Sequence, residues 1–149
     1  MKKIFYLFGL ALLVGCSSAL AADGHPEISK KVLASFNERF AGAIDVYWEQ
    51  ERDFEKATFQ LDAVVFFAYF DTDGQWVATA RNILSNQLPI PLMLQIKKEY
   101  SDCWITGLVE VDTETSISYY IYLENESKSV VLRSLDIDGW NLYSKTKKE

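Results

Sequence analysis

Histidine occurs once in these 149 residues, as His25, and cysteine twice, as Cys16 and Cys103. One histidine and two cysteines cannot supply a four-ligand zinc site of the usual N and S type. A Ser-His-Asp or Cys-His arrangement would have to recruit His25 from beside Pro26, near the start of the exported chain, where order is usually poor. Glycine is also sparse: beyond the leader, Gly24, Gly42, Gly74, Gly107 and Gly139 stand singly, so no phosphate-cradling glycine-rich loop can be assembled. Only one long apolar run exists, Ile4 to Val14. At about 11 residues it falls well short of the ~20 that a membrane-spanning helix requires.

That run follows Met1-Lys2-Lys3, and a positive start followed by an uncharged apolar stretch is the pattern of a secretory signal over residues 1–22. Two cuts are open. Leu13-Val14-Gly15-Cys16 fits a lipobox, which would lipidate Cys16 and tether the chain to a membrane; Ala19-Leu20-Ala21 fits ordinary signal peptidase, which would discard it. Either way the protein is expected to be exported, to the periplasm or to an outer-membrane lipid anchor. Cys103 then has no partner for an intrachain disulfide, so packing alone must hold residues 23–149 together as one domain.

Positive charge is the remaining shortage. With Lys2 and Lys3 removed from the 15 basic residues, 13 stand against 21 acidic ones, a formal charge of −8. Such a surface repels phosphate backbones and anionic headgroups, which argues against nucleic acid and against membrane adhesion other than through lipid on Cys16.

What is abundant is pattern. Ile28, Val32, Phe36 and Phe40 recur every four positions, with Leu33 beside them, predicting an amphipathic helix that Pro26 starts and Gly42 ends. The period then changes to two. Ile44 to Glu49, Ala57 to Leu61, Ala63 to Phe70 and Gln75 to Ala80 read as four strands of an antiparallel meander, the third apolar on both sides and therefore central. Pro89 and Pro91 open a second helix in which Leu92, Ile96 and Tyr100 keep the spacing of Val32, Phe36 and Phe40, sixty residues on. Four more strands follow, at Trp104 to Val111, Ile117 to Glu124, Ser129 to Leu135 and Trp140 to Ser144. The expected fold class is thus α+β: a tandem of helix plus four-stranded meander, in pseudo-repeats of about 26–84 and 88–146, with the helices on one face of the sheet.

Asp-x-Asp-Gly occurs twice, at Asp71 and Asp136. An EF-hand loop would end in a bidentate glutamate; counting onward gives Asn82 and Lys147 instead. The expected role is structural, Asp accepting bonds from the turn backbone and Gly taking positive φ. Neither metal nor cofactor is expected. Asp45, Glu49, Glu110 and Asp112 alternate with apolar residues and read as a solvated strand face rather than an acid–base pair. Cys103 reads as a buried small hydrophobe.

Aromatics make up 14% of the chain and crowd the strands. Tyr47, Trp48, Tyr69, Trp76, Tyr120 and Tyr122 are the candidate partner-binding residues, because large rigid rings left uncovered by the helices make good protein anchors.

The helix Val32-x3-Phe36-x3-Phe40, then Val46-Tyr47-Trp48-Glu49, the Phe70-Asp71-x-Asp73-Gly74-x-Trp76 turn, Leu88-Pro89, and Leu135-Asp136-x-Asp138-Gly139 together resemble the PepSY-like, β-lactamase-inhibitor-protein-like proteins exported by Bacteroidetes. The resemblance covers nearly all of the exported chain and implies tandem helix-plus-meander units with little indication of activity. The inhibitor that names the family grips an enzyme with a concave aromatic sheet face, and PepSY domains are associated with restraining peptidases; no inhibitory contact residue carries over. The expectation is a non-enzymatic envelope protein that binds another envelope or secreted protein. The alternative is a binder of a small apolar or sugar ligand between sheet and helices.

Overall fold

The computed structural model describes residues 27–148. The signal segment, Cys16, His25 and Pro26 lie outside the described residues.

Helix α1 spans Lys30–Arg39. It begins later than its periodicity suggests because Ser29 caps it, the Ser29 hydroxyl accepting from Val32 N at 3.2 Å. Ser29 N in turn donates to the buried Glu55 carboxylate at 3.1 Å, which ties the helix start to the sheet. Strands β1 (Ile44–Gln50), β2 (Phe54–Leu61), β3 (Val64–Asp71) and β4 (Trp76–Asn82) follow. A single 3-10 turn at Ser85–Gln87 leads to α2 (Ile90–Glu99), started by Pro89 and Pro91. Strands β5 (Trp104–Asp112), β6 (Ile117–Glu124), β7 (Lys128–Leu135) and β8 (Asn141–Lys147) complete the chain.

All eight strands join one antiparallel sheet in chain order, β1 to β8. Within β1–β4 and within β5–β8 each neighbour is reached by a short turn, the simplest connection for antiparallel strands, whereas β4 reaches β5 through the 3-10 turn and α2. The joint between the halves is β4 against β5, with Thr79 opposite Asp112 and Ala80 opposite Val111.

Alternation along the strands sorts their side chains into clusters. Val32 and Phe36 of α1 pack on Ala57, Phe59, Ala68 and Phe70, with Trp48, Phe66 and Trp76 around them. Leu92 and Ile96 of α2 pack on Leu108, Tyr119, Ile121, Leu123, Val130 and Leu132. A third cluster contains Tyr69, Ala78, Ala80, Val109, Val111 and Tyr120, residues that alternate with the helix-packed ones.

Turn chemistry explains several boundaries. Asp62 and Ala63 join β2 to β3 with φ of 50° and 62°, the backbone demand of a two-residue type I′ hairpin. Alanine in this conformation crowds its Cβ against the following carbonyl. Ala63→Gly is therefore expected to raise stability by about 0.5–1 kcal/mol, the strain relieved less the extra chain entropy of glycine. The urea midpoint of the variant checks this, and a midpoint at or below that of the parent would refute it.

The two Asp-x-Asp-Gly turns differ in a way their shared spelling hides. Asp71 Oδ1 accepts from Asp73 N at 3.0 Å and Gln75 N at 2.8 Å, as expected of a turn aspartate. Asp136 instead reaches across to β6, its Oδ1 accepting from Ile117 N at 3.2 Å. It takes φ 51°, which aims the carboxylate out of its own turn.

Candidate functional site

The third cluster is built by register. On β3, Phe67 stands opposite Ala80 and Tyr69 opposite Ala78. On the far side of β4, Ala80 faces Val111, and Val109 faces Tyr120 on β6. Tyr122 continues the row opposite Val131 of β7. On β4, Ala80 thus lies between the larger Phe67 and Val111, and Ala78 beside Tyr69. Around this buried centre the same side carries exposed apolar residues: Tyr47 at 61%, Val65 at 50% and Tyr143 at 40% of their full surface. Tyr143 meets Tyr120 edge to face at 5.6 Å between centroids, the arrangement that ring quadrupoles favour. Charge sits at the margins. Lys56 Nζ lies 5.6 Å from the Phe67 ring and 2.7 Å from Glu49, and the Arg133 guanidinium lies 5.6 Å from the Tyr120 ring.

Of the six candidate residues, Tyr69, Tyr120 and Tyr122 come together here, and Tyr47 lies on the same side through Thr58 and Phe67. Trp48 and Trp76 do not. Adjacent strand residues point to opposite sides, so Tyr47 and Trp48 cannot share one. Trp48 stands opposite Ala57 and packs on Phe36 at 5.2 Å. A bulge in the β3–β4 pairing places Trp76 opposite Phe70, in the α1 cluster, where its Nε1 donates to Thr79 Oγ1 at 2.9 Å. Tyr69 and Tyr120 are only 4% exposed, so they pack as a core does rather than standing out as anchors. The chain pattern named no role for Phe67, Val109, Val111 or Tyr143; the parity of β3, β5 and β8 was the signal that could have found them.

Burial governs the phenols. It pushes the Tyr69 hydroxyl far above the ordinary tyrosine range, with the Glu51 and Glu49 carboxylates adding to the effect. Burial likewise raises Tyr120 and Tyr122. The folded chain therefore holds protons that the unfolded chain releases above pH ~10. Stability from these groups is intact below that pH and is lost as pH climbs through the raised values. Unfolding midpoints are expected to hold through neutral pH and fall steeply above pH ~10, with Tyr69→Phe flattening the fall. Equal slopes in parent and variant would contradict the assignment.

Elsewhere, Cys103 is half-buried beside the α2 cluster rather than fully enclosed. Its thiol lies 3.5 Å from Asp102 Oδ1 and is raised above the ordinary cysteine value, chiefly by desolvation. The hydrogen bond from Lys128 holds the exposed Asp102 carboxyl below its ordinary value. Of the predicted strand acids, Glu110 binds Arg81 at 2.7 Å and Glu49 binds Lys56, so two of the four are committed to ion pairs.

No family model matches the chain, and no curated protein matches it either. Solved structures do. A BLIP-like protein from Bacteroides fragilis is 20% identical with a TM-score of 0.69, over 83% of this chain and 89% of that one. A DUF2874 family protein from Bacteroides ovatus is 17% identical with a TM-score of 0.71, over 84% and 89%. A protein from Bacteroides eggerthii, provisionally described as periplasmic, is 14% identical with a TM-score of 0.70, over 80% and 88%. At these identities the likeness establishes the fold: an eight-stranded antiparallel sheet with two helices, of α+β class and BLIP-like architecture.

Proposed function

We propose that this is a non-enzymatic exported envelope protein that binds another protein through the aromatic side of its sheet. The observation that carries the reading is the coincidence on one side of Tyr69, Tyr120 and Tyr122 with the exposed Tyr47, Val65 and Tyr143. Large apolar side chains left exposed on one side of a sheet are candidate anchors for a protein contact. The Bacteroides relatives support export and a BLIP-like role by analogy of fold alone. The signal over 1–22 supplies the route, with Cys16 as the lipid anchor if the lipobox is used.

The same reading takes the chain as one unit written twice, with both helices on one side of the sheet. Two observations support it. Val32 and Phe36 under α1 match Leu92 and Ile96 under α2 at an offset of sixty residues. Parity also carries across the joint: Ala68, packed under α1, stands opposite Thr79, Thr79 opposite Asp112, and Glu110, on the same side as Asp112, opposite Tyr119, which packs under α2. The side bearing Tyr47 and Tyr143 is then the one that neither helix covers.

Affinity capture from envelope extract tests the binding. Tyr47→Asp with Tyr143→Asp is expected to abolish retention of a specific protein, because both side chains are exposed and their loss leaves the core intact. Leu94→Asp, on the exposed surface of α2, is expected to retain it. Retention lost with Leu94→Asp and kept with the tyrosine variant would overturn the proposal. The second reading, a small ligand between helix and sheet, has one observation in its favour, a cleft of ≈ 380 Å³ beside α1. Its lining is polar, which removes an apolar ligand from that reading.

A further inference from the structure

The cleft beside α1 is lined by Ser35, Glu38 and Arg39 from the helix, Gln75 and Trp76 from the start of β4, and Glu114 from the β5–β6 turn. Sixty residues on from Ser35, Gln95 of α2 reaches the β7–β8 turn, its Oε1 accepting from Trp140 N at 3.2 Å.

Five ion pairs join cations to carboxylates among the described residues: Lys31 with Asp73, Lys56 with Glu49, Arg81 with Glu110, Lys128 with Asp102 and Lys148 with Glu124. Arg39 shares a cleft with Glu38 and Glu114, yet neither approaches it within ion-pair distance. Its guanidinium lies instead 3.9 Å over the Trp76 ring. Stacking holds the planar group in place by one face and leaves its N–H edge open. The side chains of Ser35, Glu38, Gln75 and Glu114 likewise make no hydrogen bond to another described group. Both signs of charge therefore stand uncommitted around one volume.

We propose that this cleft binds a small zwitterion, a free amino acid or dipeptide. Arg39 takes the carboxylate in a bidentate pair, Glu38 and Glu114 take the ammonium, and Ser35 and Gln75 supply hydrogen bonds between them. The volume lies in the range of small-ligand sites. A neutral ligand would leave Arg39 and the two glutamates partly desolvated without compensating charge. This goes beyond the protein-binding reading and shares none of its residues.

Alanyl-alanine is the probe, followed through the Trp76 indole N–H resonance, which is identified by its loss in Trp76→Phe. A saturable shift with a dissociation constant in the millimolar range is expected. Blocking the amine as N-acetyl-alanyl-alanine, or the carboxylate as alanyl-alanine amide, is expected to weaken binding at least about tenfold, as is Arg39→Gln in a protein that melts within a few degrees of the parent. Tyr47→Asp with Tyr143→Asp is expected to leave the titration unchanged. Absence of a saturable shift overturns the site. Equal binding of a blocked dipeptide or of glucose overturns the zwitterion while leaving a small-ligand cleft, and undiminished binding by Arg39→Gln overturns the role of Arg39.

Discussion

Replacing Phe36 with alanine is expected to lower the unfolding free energy by about 3–5 kcal/mol, the usual cost of truncating a buried phenylalanine. Phe36 is the hub of the α1 cluster. Its ring lies 5.1 Å from Phe59, 5.2 Å from Trp48, 5.4 Å from Phe40 and 6.3 Å from Phe70. Alanine there would remove edge-to-face contacts and leave a void that four neighbouring rings cannot fill without moving the strands beneath them. Against a total of ~5–15 kcal/mol for a domain of this size, the loss is about a fifth or more. Phe36→Leu, which keeps most of the volume, is expected to cost about 1–1.5 kcal/mol. Urea unfolding monitored by tryptophan fluorescence measures both. A loss below ~1 kcal/mol for alanine would mean that the site collapses freely. Because β4 and β5 join the halves in one sheet, a single transition is expected; two would mean that the halves melt separately.

Gly74→Ala is expected to cost about 2–4 kcal/mol, and Gly139→Ala about 1–2 kcal/mol, although both glycines end an Asp-x-Asp-Gly turn. Both have positive φ, 86° and 108°, so any side chain pays the left-handed penalty. They differ in what a Cβ would strike. At Gly74 it would come within 2.8 Å of Lys31 Cβ and 3.0 Å of the Lys31 carbonyl carbon, so α1 itself would have to shift. At Gly139 the nearest atom is the end of the Gln95 side chain at 3.3 Å, which can swing aside. Thermal melts of the two variants side by side test the argument, and equal losses would show that backbone conformation alone sets the cost. Movement of α1 would also widen the gap between Trp76 and Arg39, so Gly74→Ala is expected to weaken dipeptide binding in the cleft.

The strands were legible because their hydrophobic period is two, and the helices because theirs is close to four. Ile117–Glu124 was readable to its ends, since polar turns flank it on both sides. The start of α1 was not: Ile28 continues the apolar spacing, but Ser29 offers a cap, and a satisfied N–H outweighs one more periodic residue. At β1 the alternation from Ile44 to Trp48 looked regular, yet the pairing shifts between Ile44 and Tyr47 where Asp45 turns to φ 53°. Bulges leave no trace in a pattern of apolar and polar residues. That is why Trp76, displaced by another bulge, was assigned with the tyrosines when it belongs under α1.

The sequence by itself determined what kinds of side chain alternate, where the chain must turn and which chemistries it lacks, since these depend on residue type and near neighbours. Which rings meet was decided only by the tertiary structure. The side on which Tyr69 and Tyr120 gather, and the stacking of Arg39 on Trp76 in preference to two nearby glutamates, depend on strand register and on how far α1 lies from β4. Those distances are set jointly by residues far apart in the chain, through packing in which each side chain has room only where the others leave it.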